Sequence, residues 1–188
     1  MSFSSCLEQI AESARSKRLS LWVGAGISRD PPASLPLANE LKFCILEKIC
    51  SESSLHKLYE DHLQDGKDVG GLIKEYPLEA FIERIYEIRH ENTRKIVDKI
   101  AELFRCGSPN HNHFLIAGMM KKGYIRQILT TNFDLLIERA LEALGCPHLV
   151  DFAVCSTEEQ FRRMNSNLKV PTILKIHGSA DDLSLIHI

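Results

Sequence analysis

Three short clusters in this chain combine small, polar and titratable residues in patterns that can do chemistry. The first is Gly24-Ala25-Gly26-Ile27-Ser28, directly after the apolar run Leu19 to Val23. Glycines at such a turn let the backbone bend sharply and approach a phosphate closely, with N–H groups of the following turn facing the anion. The pattern is not the dehydrogenase fingerprint. A third glycine is missing near Asp30, and the ribose-binding acid expected ~20 residues later would fall near Glu47, inside a helix. It is not a P-loop either, because no Gly-Lys-Ser/Thr follows. The second cluster is Thr130-Thr131-Asn132-Phe133-Asp134, and the third is Lys175-Ile176-His177-Gly178-Ser179. Each also has a plain structural reading: a small-residue loop, a helix cap in which Thr131 or Asn132 caps and Asp134 complements the dipole, and a packed histidine.

The elements that must hold these clusters follow from hydrophobic periodicity. Residues 3–17 read as an amphipathic helix with Leu7, Ile10 and Ala14 on one face. Leu19 to Val23 has the look of a buried parallel strand. From about 37 to 122 the spacing is helical, carried by Leu37, Leu41, Cys44, Ile45 and Ile49, then Phe81, Ile82, Ile85 and Ile88, then Ile96, Val97, Ile100, Leu103 and Phe104. Gly70-Gly71, Tyr76-Pro77 and Gly107-Ser108-Pro109 punctuate that stretch. Strand-like runs return at Ile125–Thr130, His148–Val154 and Thr172–Ile176. A helix over 134–144 is expected between the first two, ended by Gly145 as its cap. Ser156-x-x-Glu159 reads as a capping box for another helix. Strands alternating with helices predict an α/β fold, a Rossmann-like parallel sheet with flanking helices and a helical insertion between the first and second strands. All three polar clusters then lie at the carboxyl ends of strands, the edge where open α/β sheets bind ligands.

Composition narrows the function classes. The chain has 188 residues, which fits one domain, and its 44% hydrophobic content is enough for a sizeable core. A formal net charge of -2 gives no general electrostatic reason to expect nucleic acid or anionic lipid as a partner. The six cysteines form no C-x-x-C pair and read as reduced thiols of a cytoplasmic protein. No apolar run approaches the ~20 residues needed to span a bilayer.

In this order, G-A-G-I-S, T-T-N-F-D and K-I-H-G-S resemble the three signature blocks of the sirtuin family. Pro109-x-x-x-His113-Phe114 resembles a fourth segment of that family, in which His113 is taken as structural. The resemblance covers roughly residues 18 to 181. The chain departs from the protein-deacetylase branch in two places. It lacks the two C-x-x-C pairs that hold a structural zinc, and Arg29 to Pro36 replaces the Ile-Pro-Asp-Phe-Arg segment. Cys106 with His111 and His113 is the nearest metal-like grouping, and its spacing fits no closed zinc site well. The T-T-N-F-D form, the helical insertion and the missing zinc pairs look like the bacterial sirtuin-like NAD-hydrolase branch, whose members act in antiphage defence by depleting NAD in abortive infection.

That resemblance implies cleavage of the nicotinamide–ribose bond of NAD, with NAD as substrate and no metal. Gly24, Ala25 and Gly26 would accept the pyrophosphate, and Ser28 would contact phosphate or ribose. Thr130 belongs to the same binding set. Asn132 would hold the ribose or the attacking water, Asp134 would hydrogen-bond the nicotinamide amide, and His177 would be the general base, suited by a pKa near working pH. Two other readings stay open: an NAD-dependent protein deacylase, and a non-catalytic module that binds NAD or ADP-ribose as a sensor. The resemblance leaves room for a C-terminal sensor domain and a homo-oligomer. Residues 1–182 read as a partial NAD-binding domain, cut short at its C-terminus. Residues 183–188, Leu-Ser-Leu-Ile-His-Ile, back-translate to the transposon mosaic end used in sequencing libraries, so they are read as an adapter-derived tail or a truncated strand.

Overall fold

The computed structural model describes residues 3–51, 76–87, 91–164 and 170–180. The expected tail at 183–188, the Gly70-Gly71 break and parts of the helical stretch lie outside the described residues. The chain opens with α1 (Phe3–Arg15), β1 (Leu19–Val23) and a single 3-10 turn (Ala25–Ser28). Among the described residues, four helices follow before the next strand: α2 (Ala38–Ser51), α3 (Leu78–Glu87), α4 (Glu91–Cys106) and α5 (His111–Lys121). Then come β2 (Ile125–Thr130), α6 (Leu136–Ala143), β3 (Ala153–Cys155), α7 (Glu158–Met164) and β4 (Thr172–Lys175). The strands form one parallel sheet in the order β1-β2-β4-β3. This is the expected α/β, Rossmann-like architecture, with the helical insertion between the first two strands.

Register decides where the polar clusters emerge. Val23 pairs with Thr130, and Thr130 pairs with Lys175. The chain therefore leaves β1, β2 and β4 at one level, and the three clusters begin side by side on the carboxyl edge. Two apolar cores support that edge. Ile125, Ile128 and Ile173 of the sheet pack with Ile116, Ala117 and Met120 of α5 and with Ile137, Ala140 and Leu141 of α6. The second core belongs to the helical insertion: Leu41, Ile45, Leu46, Phe81, Ile82, Ile100 and Phe104. Phe133 and Leu136, from the loop after β2 and the start of α6, join that second core, with the rings of Phe104 and Phe133 5.9 Å apart.

Several local expectations are corrected. The run Leu19–Val23 is an outer strand rather than a buried one: among the described strands β1 has a single neighbour, Ser20 and Trp22 are exposed, and Trp22 is 71% exposed. Helix α1 forms as predicted, but none of its residues is buried and Leu7 and Ile10 stay half-exposed. The strand expected over His148–Val154 shrinks to Ala153–Cys155. Pro147 starts a turn there, accepting from the N–H groups of Val150 and Asp151, and Leu149 takes a φ of 64°. Apolar composition alone had made that turn look like a strand. The capping box of α7 sits one residue later than read. Thr157 Oγ1 accepts from the Gln160 N–H, and Gln160 Oε1 accepts from the Thr157 N–H. Gly145 does close α6 as expected. At φ 79° it sets up the paired bonds Cys146 N–H to Leu141 O and Gly145 N–H to Glu142 O of a Schellman cap.

Candidate active site

Helix α6 begins at Leu136, so residues 131–135 are a loop and neither Thr131 nor Asn132 caps the helix. The loop is held from several sides. Thr131 N–H donates to Val23 O, and Ala180 N–H donates to Phe133 O at 2.8 Å. Asn132 N–H donates back to Thr130 Oγ1 at 3.0 Å. Asp134 Oδ1 accepts from the Leu136 N–H at 3.1 Å, turning the chain into the helix. The cap-like reading of Asp134 and its place in a polar site are therefore both true.

Around that carboxylate lies a buried polar cluster drawn from distant parts of the chain. Asp134 Oδ2 accepts from Ser28 Oγ at 2.8 Å and from Asn132 Nδ2 at 3.3 Å. Ser28 Oγ lies 3.1 Å from His113 Nε2. The histidine's tautomer follows from its other nitrogen. Asn110 N–H can only donate, and it donates to His113 Nδ1 at 3.1 Å, so the neutral ring carries its proton on Nε2 and donates it to Ser28. The result is a directed chain: His113 Nε2–H to Ser28 Oγ–H to Asp134 Oδ2. Burial pushes the His113 pKa below its ordinary value, and the charge of Asp134 pulls partly the other way.

Asn110 does more than cap α5. Its Oδ1 accepts from the N–H groups of Asn112 and His113, while its Nδ2 donates to Ile27 O at 2.8 Å and Asp30 O at 3.0 Å. One buried amide thus ties the start of α5 to the glycine loop. A Cβ built on Gly26 would meet nothing within 4 Å, so its backbone faces open space. Gly24 is closer to the second cluster, 3.6 Å from Thr131 Oγ1 by the same construction.

Against this cluster lies a cavity of about 470 Å³. Ala25, Ser28, Asn132 and Asp134 line it, together with Leu35 of the loop before α2 and Leu41, Lys42 and Phe104 of the helical layer. Of the residues singled out from sequence, Gly24, Gly26, Thr130 and His177 are not in that wall. His177 lies half-buried in the turn after β4. Ile176 N–H donates to Thr130 O there, and Gly178 N–H donates to Lys175 O. Gly178 has a φ of 87°, a conformation that requires glycine.

Asn132 carries the most telling feature. Its Nδ2 is committed to Ser28 and Asp134, and its Oδ1 is buried without a hydrogen-bond partner. Among the described residues no other buried side-chain polar atom is in that state. An unpaired buried acceptor costs about 1–3 kcal/mol, which a donor on a bound molecule would relieve. A ribose hydroxyl or a water is such a donor.

The sequence gives His113 a structural place, and it does take part in the cap of α5, yet its outer nitrogen reaches the site. The sequence assigns Lys175 no role beyond its place in the motif. Its ammonium is buried among Phe133 O, Asp134 O and Glu138. Asn110 lies outside the residues singled out from sequence, although Asn-x-x-His at the head of a helical run is a legible cap. Among the described residues no group of three or more His, Cys, Asp or Glu side chains is placed to hold a metal ion. Both ring nitrogens of His113 are engaged within the protein, which removes it from the grouping with Cys106 and His111.

A parallel α/β sheet with small-residue and polar loops on its carboxyl edge defines the class: an α/β fold of the Rossmann type. Comparison with known families then gives a narrower likeness. Residues 126–188 match a family described as the SIR2-like domain, about a third of the chain. No curated protein matches the chain. The matched segment holds Asn132, Asp134, Lys175 and His177, whereas Ser28 and His113, which contact it, lie outside. The likeness supports a sirtuin-like domain and, with it, an NAD-related enzyme.

Proposed function

We propose that this protein is an NAD glycohydrolase, releasing nicotinamide and ADP-ribose, and that residues 1–182 form its NAD-binding domain. The observation that carries this reading is Asn132. Its amide is fixed by Ser28 and Asp134, and its buried oxygen lacks the donor that a ribose hydroxyl or an attacking water would supply. The cavity beside it has room for a nicotinamide riboside portion, and Gly24 to Gly26 open the neighbouring edge to the pyrophosphate. In this reading Ser28 acts chiefly on Asp134, since its hydroxyl already donates there. Asp134 remains the partner for the nicotinamide amide. His177, one turn beyond β4, takes the proton from water or a ribose hydroxyl. The resemblance adds a setting, bacterial antiphage defence by NAD depletion, with a C-terminal sensor as trigger.

The test is nicotinamide release from NAD by the purified protein, with and without an acetylated peptide. Release without peptide is expected. His177→Ala and Asn132→Ala should each lower it by roughly 100- to 10,000-fold while the circular dichroism spectrum holds. Release only with peptide would make the protein a deacylase. Tight ADP-ribose binding without any release would make it a sensor.

A further inference from the structure

Lys175 ends β4 at a position where all four strand residues are buried, and its own side chain is 1% exposed. Burying an ammonium costs several kcal/mol, and an ion pair in an interior rarely outperforms an apolar pair of similar size. Its partners show what it accomplishes instead. Nζ donates to Asp134 O at 2.5 Å, to Phe133 O at 3.3 Å and to Glu138 Oε1 at 2.9 Å. The first two are main-chain carbonyls of the loop that carries Asn132 and Asp134. The third is a carboxylate in the first turn of α6, with its side chain 12% exposed. A single cation therefore ties the loop and the helix that follows it to the strand that carries the His-Gly turn. It also sets the peptide planes on both sides of the Asp134 Cα, and hence the direction of that side chain.

We infer that Lys175 is a positioning residue: its ammonium, balanced by Glu138, holds the Asn132–Asp134 loop in the geometry that NAD cleavage requires. This rests on the functional reading above. It separates two quantities that a purely structural lysine would keep together, since the stability cost of losing the cation lies mainly in the stranded Glu138 charge, whereas the loop geometry depends on the ammonium itself.

The experiment compares wild type, Lys175→Met and Lys175→Met with Glu138→Gln in the full chain. Nicotinamide release, thermal midpoint and amide exchange of residues 131–136 are measured for each. Lys175→Met should lower kcat by about 10- to 100-fold with little change in KM, the cost of a reacting group displaced by about 1 Å. The double variant should recover most of the midpoint, because no unpaired carboxylate remains, yet stay low in kcat. Exchange at 131–136 should be faster than wild type in both. If the single variant does not fold, the double variant decides. Turnover that recovers together with the midpoint, or unchanged exchange at 131–136, would overturn the assignment. Should wild type release no nicotinamide, the hydrolase reading fails, and the exchange measurement by itself decides the role of Lys175.

Discussion

The loop after β2 and the turn after β4 leave the sheet at the same level, yet they are shaped by different means. The loop at 131–135 is held by side chains from four directions: Ser28 from the glycine turn, Asn132 from within, Lys175 from β4 and Phe104 from the helical layer. The turn at 176–178 shows two backbone bonds and a glycine at positive φ. A group that must hold a substrate in one orientation gains from over-determination. The density of contacts on the loop fits the orienting role proposed for Asn132 and Asp134.

The sharpest way to break this comparison is at its most connected residue. Asp134→Ala would strand the Ser28 hydroxyl, the Asn132 amide and the Leu136 N–H at once. At ~1–3 kcal/mol for each unpaired buried donor, the loss should approach the total stability of an ordinary domain. Thermal unfolding should show a collapse of the midpoint, and a midpoint near wild type would mean that the cluster is not what holds the loop.

Gly178→Ala should do the reverse. A Cβ there meets nothing within 4 Å, so the cost is backbone strain alone, ~1–2 kcal/mol. Release of nicotinamide should fall by more than that loss of stability explains, because the strain is relieved by moving His177. Equal turnover at saturating NAD would count against His177 as the base.

The smallest effect concerns pH. Burial keeps His113 neutral in the fold, with its pKa below the ordinary 6.5. A base held neutral this way contributes stability that is complete above 6.5 and is lost as pH falls from there toward the depressed folded value. Urea midpoints from about pH 8 to about pH 5 should decline at the acid end in wild type. His113→Gln should lower the midpoint overall and flatten that decline. An equally steep acid decline in the variant would place the titration elsewhere.

Much of this was legible in the sequence. Strands β1, β2 and β4, the helical insertion and the glycine cap of α6 follow from periodicity and turn chemistry, which are local. The convergence of Gly24, Asn132 and His177 on one edge follows from the rule that parallel strands point the same way. What could not be read was pairing at a distance. Nothing near Ser28 reveals that its hydroxyl donates to a carboxylate 106 residues away. Nothing near Lys175 reveals that a lysine in a buried strand would be neutralised by Glu138. The run at 148–154 misled for a related reason. Leu149 and Val150 look like strand residues but are 76% and 65% exposed in a turn.

Trp22 is the chain's single tryptophan, on an outer strand two residues before Gly24 and mostly in solvent. Its fluorescence will therefore report denaturation poorly, because the indole is wet before the protein unfolds. The same placement makes it an optical probe of the glycine turn, able to register an anion arriving there without any added label.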